Sequence, residues 1–223
     1  MGVSYNSSIV TSGLILCLDA KNPRSYSGSG STWYDVSGNG YNCVFGSTPT
    51  WNSAGYFTFN GTSNYGTITN SPAISWASAQ TVLIVMNHNI TTGRQNTWNQ
   101  AYGGYGTWTH ESGSYINYYY GNAGTDNTPY TNLGSGSTPV NTWYGMCITR
   151  DTSNVNWYQN ATNQSTMANP YGTLATTAAS ITIGSGYAGY WTGNISMILA
   201  YTRALTSAEV TQNYNAYRGR YGI

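Results

Sequence analysis

Short runs of β-branched and aromatic residues recur along the chain between Gly, Asn, Ser and Pro punctuation. They read "GLILCLD", "YNCVF", "YFTFN", "YGTIT", "TVLIVMNH", "YINYYYG", "WYGMCITR", "NVNWYQN", "SITIG" and "GNISMILAY". This is the rhythm of extended strands joined by tight turns. Strict alternation is clearest in the last run, which predicts Ile195, Met197, Leu199 and Tyr201 on one face and Ser196, Ile198 and Ala200 on the other. The unbroken "VLIVM" predicts a strand buried on both faces. Strands of both kinds need two packed layers, so the expected fold is all-β: an antiparallel two-sheet jelly-roll sandwich. With no linker or charge block to mark a boundary, residues 1–223 are expected to form one domain.

One helix is expected, at the end. In "RALTSAEVTQNYNAYRGRYG", Thr206 and Glu209 stand three apart as a capping box, with Leu205 and Val210 placed to form a hydrophobic staple around it. Val210, Tyr214 and Tyr217 then share a face that can pack on the sandwich, and Gly219 is placed to stop the helix.

Charge narrows the range of partners. Charged residues make up 6% of the chain, the net charge is +1, and Lys21 is the only lysine, whereas there are 22 Tyr and 27 Gly. A phosphate backbone is bound by clustered Lys and Arg, so nucleic acid is not expected as a partner. The opening "MGVSYNSSIVTSGLILCLDA" has no basic stretch and too short an apolar run for a signal peptide or a membrane span. Cys17, Cys43 and Cys147 each sit in an apolar or aromatic run, as small core residues of a chain folded in a reducing compartment.

Four features raise the question of chemistry. In "YDVSGNG", Asp35, Ser37 and Asn39 alternate before Gly40 like the first half of an EF-hand calcium loop, but Gly46 falls where that loop needs its bidentate Glu. Asp35 and Asn39 are therefore weak metal candidates beside the simpler reading, a tight turn bonded to its own backbone; no cofactor is expected beyond this calcium alternative. Glycoside hydrolysis needs two facing carboxyl groups, and the six acids Asp19, Asp35, Glu111, Asp126, Asp151 and Glu209 are too dispersed to put two on one strand, which leaves only a distant pair such as Glu111 with Asp126. His88 and His110 make a poor zinc set without further ligands at suitable spacing. No catalysis is expected. The aromatic stretch Asn99 to Asn122, "NQAYGGYGTWTHESGSYINYYYGN", is the candidate contact surface, with Tyr105, Trp108 and Tyr119 as its foremost side chains, for a protein neighbour first and a glycan second. Against this stands the reading that alternate residues of "YINYYY" face the core.

Four segments carry a resemblance: "GLILCLDAKNPRSYSGSGSTWYDVSGNGYNCVF", "YFTFNGTSNYGTI", "NTWYGMCITRDTSNVNWYQNATNQST" and "ITIGSGYAGYWTGNISMILAYTRALTSAEVTQNYNAYRGRYGI". Together they resemble the laminin G-like jelly-roll domains of the concanavalin A-like lectin and glucanase superfamily. The resemblance implies that Asp35 belongs to a structural turn. "LDAKNPRSY" and the closing "RGRYGI" resemble stand-alone versions carried by tailed bacteriophages. By analogy, that implies a non-catalytic structural protein on the virion surface, made in the host bacterial cytoplasm, in a capsid decoration or a tail or fibre. Its partners would be other virion proteins or further copies of itself, and a host glycan. A carbohydrate-binding lectin-like module is the alternative, and a glycoside hydrolase stands behind both.

Overall fold

The computed structural model describes residues 8–69, 79–89, 92–100, 105–121, 130–173 and 179–223. In chain order its strands are β1 (Leu14–Asp19), β2 (Thr32–Trp33), β3 (Cys43–Ser47), β4 (Thr50–Asn52), β5 (Tyr56–Asn60), β6 (Tyr65–Ile68), β7 (Gln80–His88) and β8 (Gln95–Asn99). There follow β9 (Tyr105–Glu111), β10 (Tyr115–Gly121), β11 (Tyr130–Ser137), β12 (Tyr144–Arg150), β13 (Asn154–Gln159), β14 (Thr162–Ala168), β15 (Ile181–Ile183) and β16 (Thr192–Tyr201). Helix α1 (Ser207–Tyr217) and a short 3-10 turn (Arg218–Arg220) close the chain. None of the described helices is long and apolar enough to cross a membrane.

The strands form two antiparallel sheets. The first runs β14-β13-β12-β7-β16-β5-β4, with β1 also paired to β16; the second runs β11-β10-β9-β8-β15-β6-β3-β2. The all-β sandwich expected from the hydrophobic pattern is what the chain adopts. Its interior is closed by Leu16, Phe57, Ile84, Trp98, Trp108 and Trp157, all buried. A second apolar layer lies on the outside of the first sheet. There Leu83, Val85, Cys147, Leu199 and Tyr201 pack under Val210 and Tyr217 of α1. Strand β7 is thus buried on both faces, as "VLIVM" predicts.

Two expectations are corrected. A β-bulge between Ile195 and Met197 inserts an extra residue into β16, which reverses the alternation. Ile195, Ile198 and Ala200 therefore face the sandwich interior while Met197, Leu199 and Tyr201 face the helix. The helix does not stop at Gly219 either. It tightens into the 3-10 turn, and the positive φ of 68° falls at Gly222.

The start of α1 is as the capping pattern predicts. Thr206 Oγ1 accepts from Glu209 N at 3.3 Å, and Glu209 Oε2 accepts from Thr206 N at 2.9 Å. Arg203 donates to the same carboxylate at 2.8 Å and holds its pKa down to about 2. Behind the helix, Asn213 bonds both the Tyr201 hydroxyl, at 3.0 Å, and the Val10 amide, at 2.8 Å, which ties the first described residues to the last strand.

Candidate recognition site

Alternation along β9 and β10 decides which side chains of the aromatic stretch are available. Ile116, Tyr118 and Tyr120 of β10 point into the core, so Asn117 and Tyr119 lie on the outer face of the second sheet. On β9 the same rule turns Trp108 inward. Trp108, expected as a surface contact, is fully buried, its ring edge-on to Trp157 at 4.7 Å between centroids. Tyr105 begins β9, and its side chain lies outside the described residues. Of the three expected contact residues, Tyr119 is the one the structure places at a surface, half-buried.

What surrounds Tyr119 was not anticipated. The Glu111 carboxylate accepts from Arg94 Nε at 2.7 Å, Arg94 Nη2 at 3.1 Å and the Tyr119 hydroxyl at 2.9 Å. Arg94 Nη2 also donates to the hydroxyls of Tyr119 at 3.3 Å and Tyr187 at 3.4 Å. The guanidinium carbon stands 6.0 Å from the Tyr119 ring centroid and 5.7 Å from that of Tyr187, within reach of cation–π attraction on both sides. Asn117 Nδ2 adds a bond to Tyr119 at 3.2 Å. Glu111 is nearly sealed, with 10% of its side chain exposed, whereas Arg94 is 46% exposed. The carboxylate is thus the anchor and the guanidinium the presented group. Burial, reinforced by the bond to Glu111, pushes the Tyr119 phenol up to about 12, and the bond to Glu111 raises Arg94 further above its already high value. Both groups keep their neutral-pH forms.

Tyr187 comes from the segment joining β15 to β16. Ala188 N donates to Asn96 Oδ1 at 2.8 Å and Gly189 N to Gly186 O at 3.1 Å, which makes a tight turn against β8. At Gly186 a Cβ would stand 2.5 Å from Asn96 Oδ1, so the turn approaches the sheet more closely than any side chain allows. Sequence reasoning passed over both Arg94 and Tyr187. Arg94 was one of six scattered arginines, and Tyr187 reaches the site only through long-range packing.

Directly behind the face, the two histidines meet. His88 of β7 and His110 of β9 approach Nε2 to Nε2 at 3.3 Å across the sandwich, both fully buried, with Thr138 Oγ1 3.2 Å from His88 Nε2. Trp191 and Tyr144 close the space around them. One ring nitrogen must donate and the other accept, so at least one imidazole is neutral. Burial and the neighbouring His88 lower the pKa of His110 to about 3.

The other candidates resolve into structural roles. Asp35 accepts from the backbone N–H groups of Cys17, Ser37 and Tyr41 at 2.9 to 3.1 Å, and Asn39 Nδ2 donates to Ile15 O at 3.2 Å. Their oxygens and amide lock a turn onto β1, with Gly38 and Gly40 at positive φ. Asp19 pairs with Arg220 at 2.7 Å, beside a cleft of about 470 Å³ between β1 and the end of α1. Asp151 accepts from Ser153 N and Asn154 N in the turn between β12 and β13. With Glu111 on Arg94 and Glu209 on the helix cap, each described carboxylate is engaged in a different part of the fold. Asp126, the expected partner of Glu111 in a distant acid pair, lies outside the described residues. No three His, Cys, Asp or Glu side chains gather as a metal site among the described residues. The three cysteines are buried and unpaired; burial raises all three thiols, Cys17 to about 12.

The Laminin_G_3 family of the concanavalin A-like lectin/glucanases superfamily matches residues 60–211. The chain belongs to that family. No curated protein matches it. Among solved structures, this Laminin_G_3 domain is similar to the receptor binding domain of botulinum neurotoxin C/D mosaic serotype, with a TM-score of 0.68 at 14% identity over 92% of this chain and 51% of that one. It is similar also to the binding domain of Paraclostridial Mosquitocidal Protein 1 (TM-score 0.66, 14% identity, 92% and 52%) and to the binding domain of botulinum neurotoxin DC in complex with rat synaptotagmin II (0.69, 12%, 93% and 52%). The chain spans about half the length of each, and at this identity the likeness is one of fold.

Proposed function

We propose that this domain is a non-catalytic recognition module and that its ligand, a carbohydrate, sits on the outer face of the second sheet at Arg94, Tyr119 and Tyr187. The observation that carries this reading is the half-exposed guanidinium fixed between two tyrosines and anchored by a sealed carboxylate. Such a site offers rigid aromatic faces to sugar C–H groups, together with hydroxyl, amide and guanidinium groups already in place for hydroxyls, so little is lost in ordering it on binding. The fold is shared with domains described as receptor-binding or binding domains, which supports recognition over catalysis. The test is retention of the whole chain on a panel of polysaccharides. Binding that Tyr187→Ala abolishes is expected; binding untouched by that change would overturn the placement of the site.

The virion reading stands on the likeness of "LDAKNPRSY" and "RGRYGI" to stand-alone phage domains. We place the protein on the surface of a bacteriophage particle, in capsid or tail, produced in the host cytoplasm and held by other virion proteins or by copies of itself. Tyr34 and Val44, each 50% exposed at the β2–β3 edge of the second sheet, favour a protein neighbour at that edge. Mass spectrometry of purified particles should find the chain; its absence from mature particles would contradict this placement.

A further inference from the structure

The positions that make up the recognition face continue beyond Arg94. Reading across the second sheet in the order β10-β9-β8-β15-β6, Tyr119 comes from β10 and Glu111 from β9. Arg94 leads into β8, Tyr187 and Tyr190 come from the segment after β15, and Tyr65 opens β6. Tyr190 is 36% exposed, and its ring stands 6.5 Å from that of Tyr65, tilted by 55°. Tyr65 lies over Gly46 of β3, where any Cβ would collide with its ring. Neighbouring strands are spaced about 4.8 Å apart, so four steps from β10 to β6 make a track of about 19 Å running across the strands. That is the length of several sugar rings in a row, not of one.

Charge fixes the chemistry of what lies there. The Arg94 guanidinium is bonded twice to Glu111, so the two charges cancel in place. No other Lys, Arg, Asp or Glu occurs in β6, β8, β9, β10 or β15, or in residues 184–191. A carboxylated or sulfated polymer needs cations left free to meet each acidic unit, and this face repeats none. What repeats along it is Tyr, flanked by Asn and Thr.

We propose that the ligand of this face is an uncharged polysaccharide chain lying across the strands, held at several successive sugars from Tyr119 to Tyr65 rather than by one terminal sugar. This rests on the carbohydrate reading of the same site. Tyr187 and Tyr190 are its fixed middle, because the Gly186 turn pinned to Asn96 sets their position before any ligand arrives.

The test uses the whole chain and calorimetry against laminarin, mannan, galactan and dextran as neutral polymers and alginate and polygalacturonate as acidic ones, followed by size-fractionated fragments of the strongest binder. Affinity should rise with fragment length over several units and then level off, with little dependence on salt. Tyr65→Ala, with folding checked by circular dichroism and with Tyr65→Phe as the conservative control, should weaken long fragments about tenfold, the loss of one aromatic contact, and leave the shortest fragments unchanged. Equal affinity for short and long fragments, or equal binding by the Tyr65→Ala protein, would overturn the track while leaving the carbohydrate site standing. Preference for an acidic polymer with steep salt dependence would overturn the neutral assignment. Binding to none of the six would count against the carbohydrate reading itself.

Discussion

At the scale of the residue, Asp35 shows how a pattern that resembles half a calcium loop builds a turn bonded to the backbone. Its carboxylate collects three backbone N–H groups and the Ser37 hydroxyl, and so ties residues 35–41 to β1. Replacing Asp35 by Ala leaves those partly buried donors unmatched. It should cost about 3 kcal/mol in urea unfolding, with Asp35→Asn losing less because one oxygen remains. This turn was legible in the sequence because Asp35 bonds Ser37 and Tyr41 within six residues of itself. Trp108 was misplaced although a signal for it existed. In "TWTHE" the polar Thr107, Thr109 and Glu111 alternate with Trp108 and His110, which is the pattern of a strand with its large rings inward. Arg94 and Tyr187 carried no comparable signal. Glu111, which anchors Arg94, is 17 residues from it, and Tyr187 reaches Thr109 across 78.

At the scale of the element, the strands rich in Ile, Val and aromatic residues were recognisable, whereas β2, β4, β8, β9, β11 and β14 were not. Strand β14, "TNQSTMA", is an edge strand open to solvent along most of its length, so it needs no apolar face. Strand β11, "YTNLGSGS", is built largely from residues that ordinarily signal turns, and pairing with β10 holds it extended. The bulge in β16 was equally hidden, because one inserted residue leaves the composition unchanged while reversing the faces. The helix start was fully legible, since a capping box is local chemistry. Thr206→Ala should lower stability by about 1 kcal/mol through the lost cap, measured by chemical denaturation, with the far-UV spectrum still that of a β-sandwich carrying one helix.

At the scale of the molecule, the two sheets and the helix form three layers, and the proposed recognition face and α1 lie on opposite outer sides. The His88–His110 contact joins the two sheets behind the face. Its consequence is a dependence of stability on pH. The unfolded His110 takes up a proton near pH 6.5, whereas the folded one resists until about 3. The stability due to its neutral form is therefore complete above 6.5 and is lost as pH falls through that window. Between pH 7 and pH 5 this one group should remove about 2 kcal/mol, and His110→Gln should flatten the slope. An unchanged slope in that variant would place the acid sensitivity elsewhere. The most direct test of the account is where a bound polysaccharide touches the chain. Hydrogen exchange, followed by mass spectrometry with and without the strongest neutral binder, should show protection in segments 92–96 and 184–190 and none in 207–217. Protection confined to α1 or to the cleft beside Asp19 and Arg220 would contradict it.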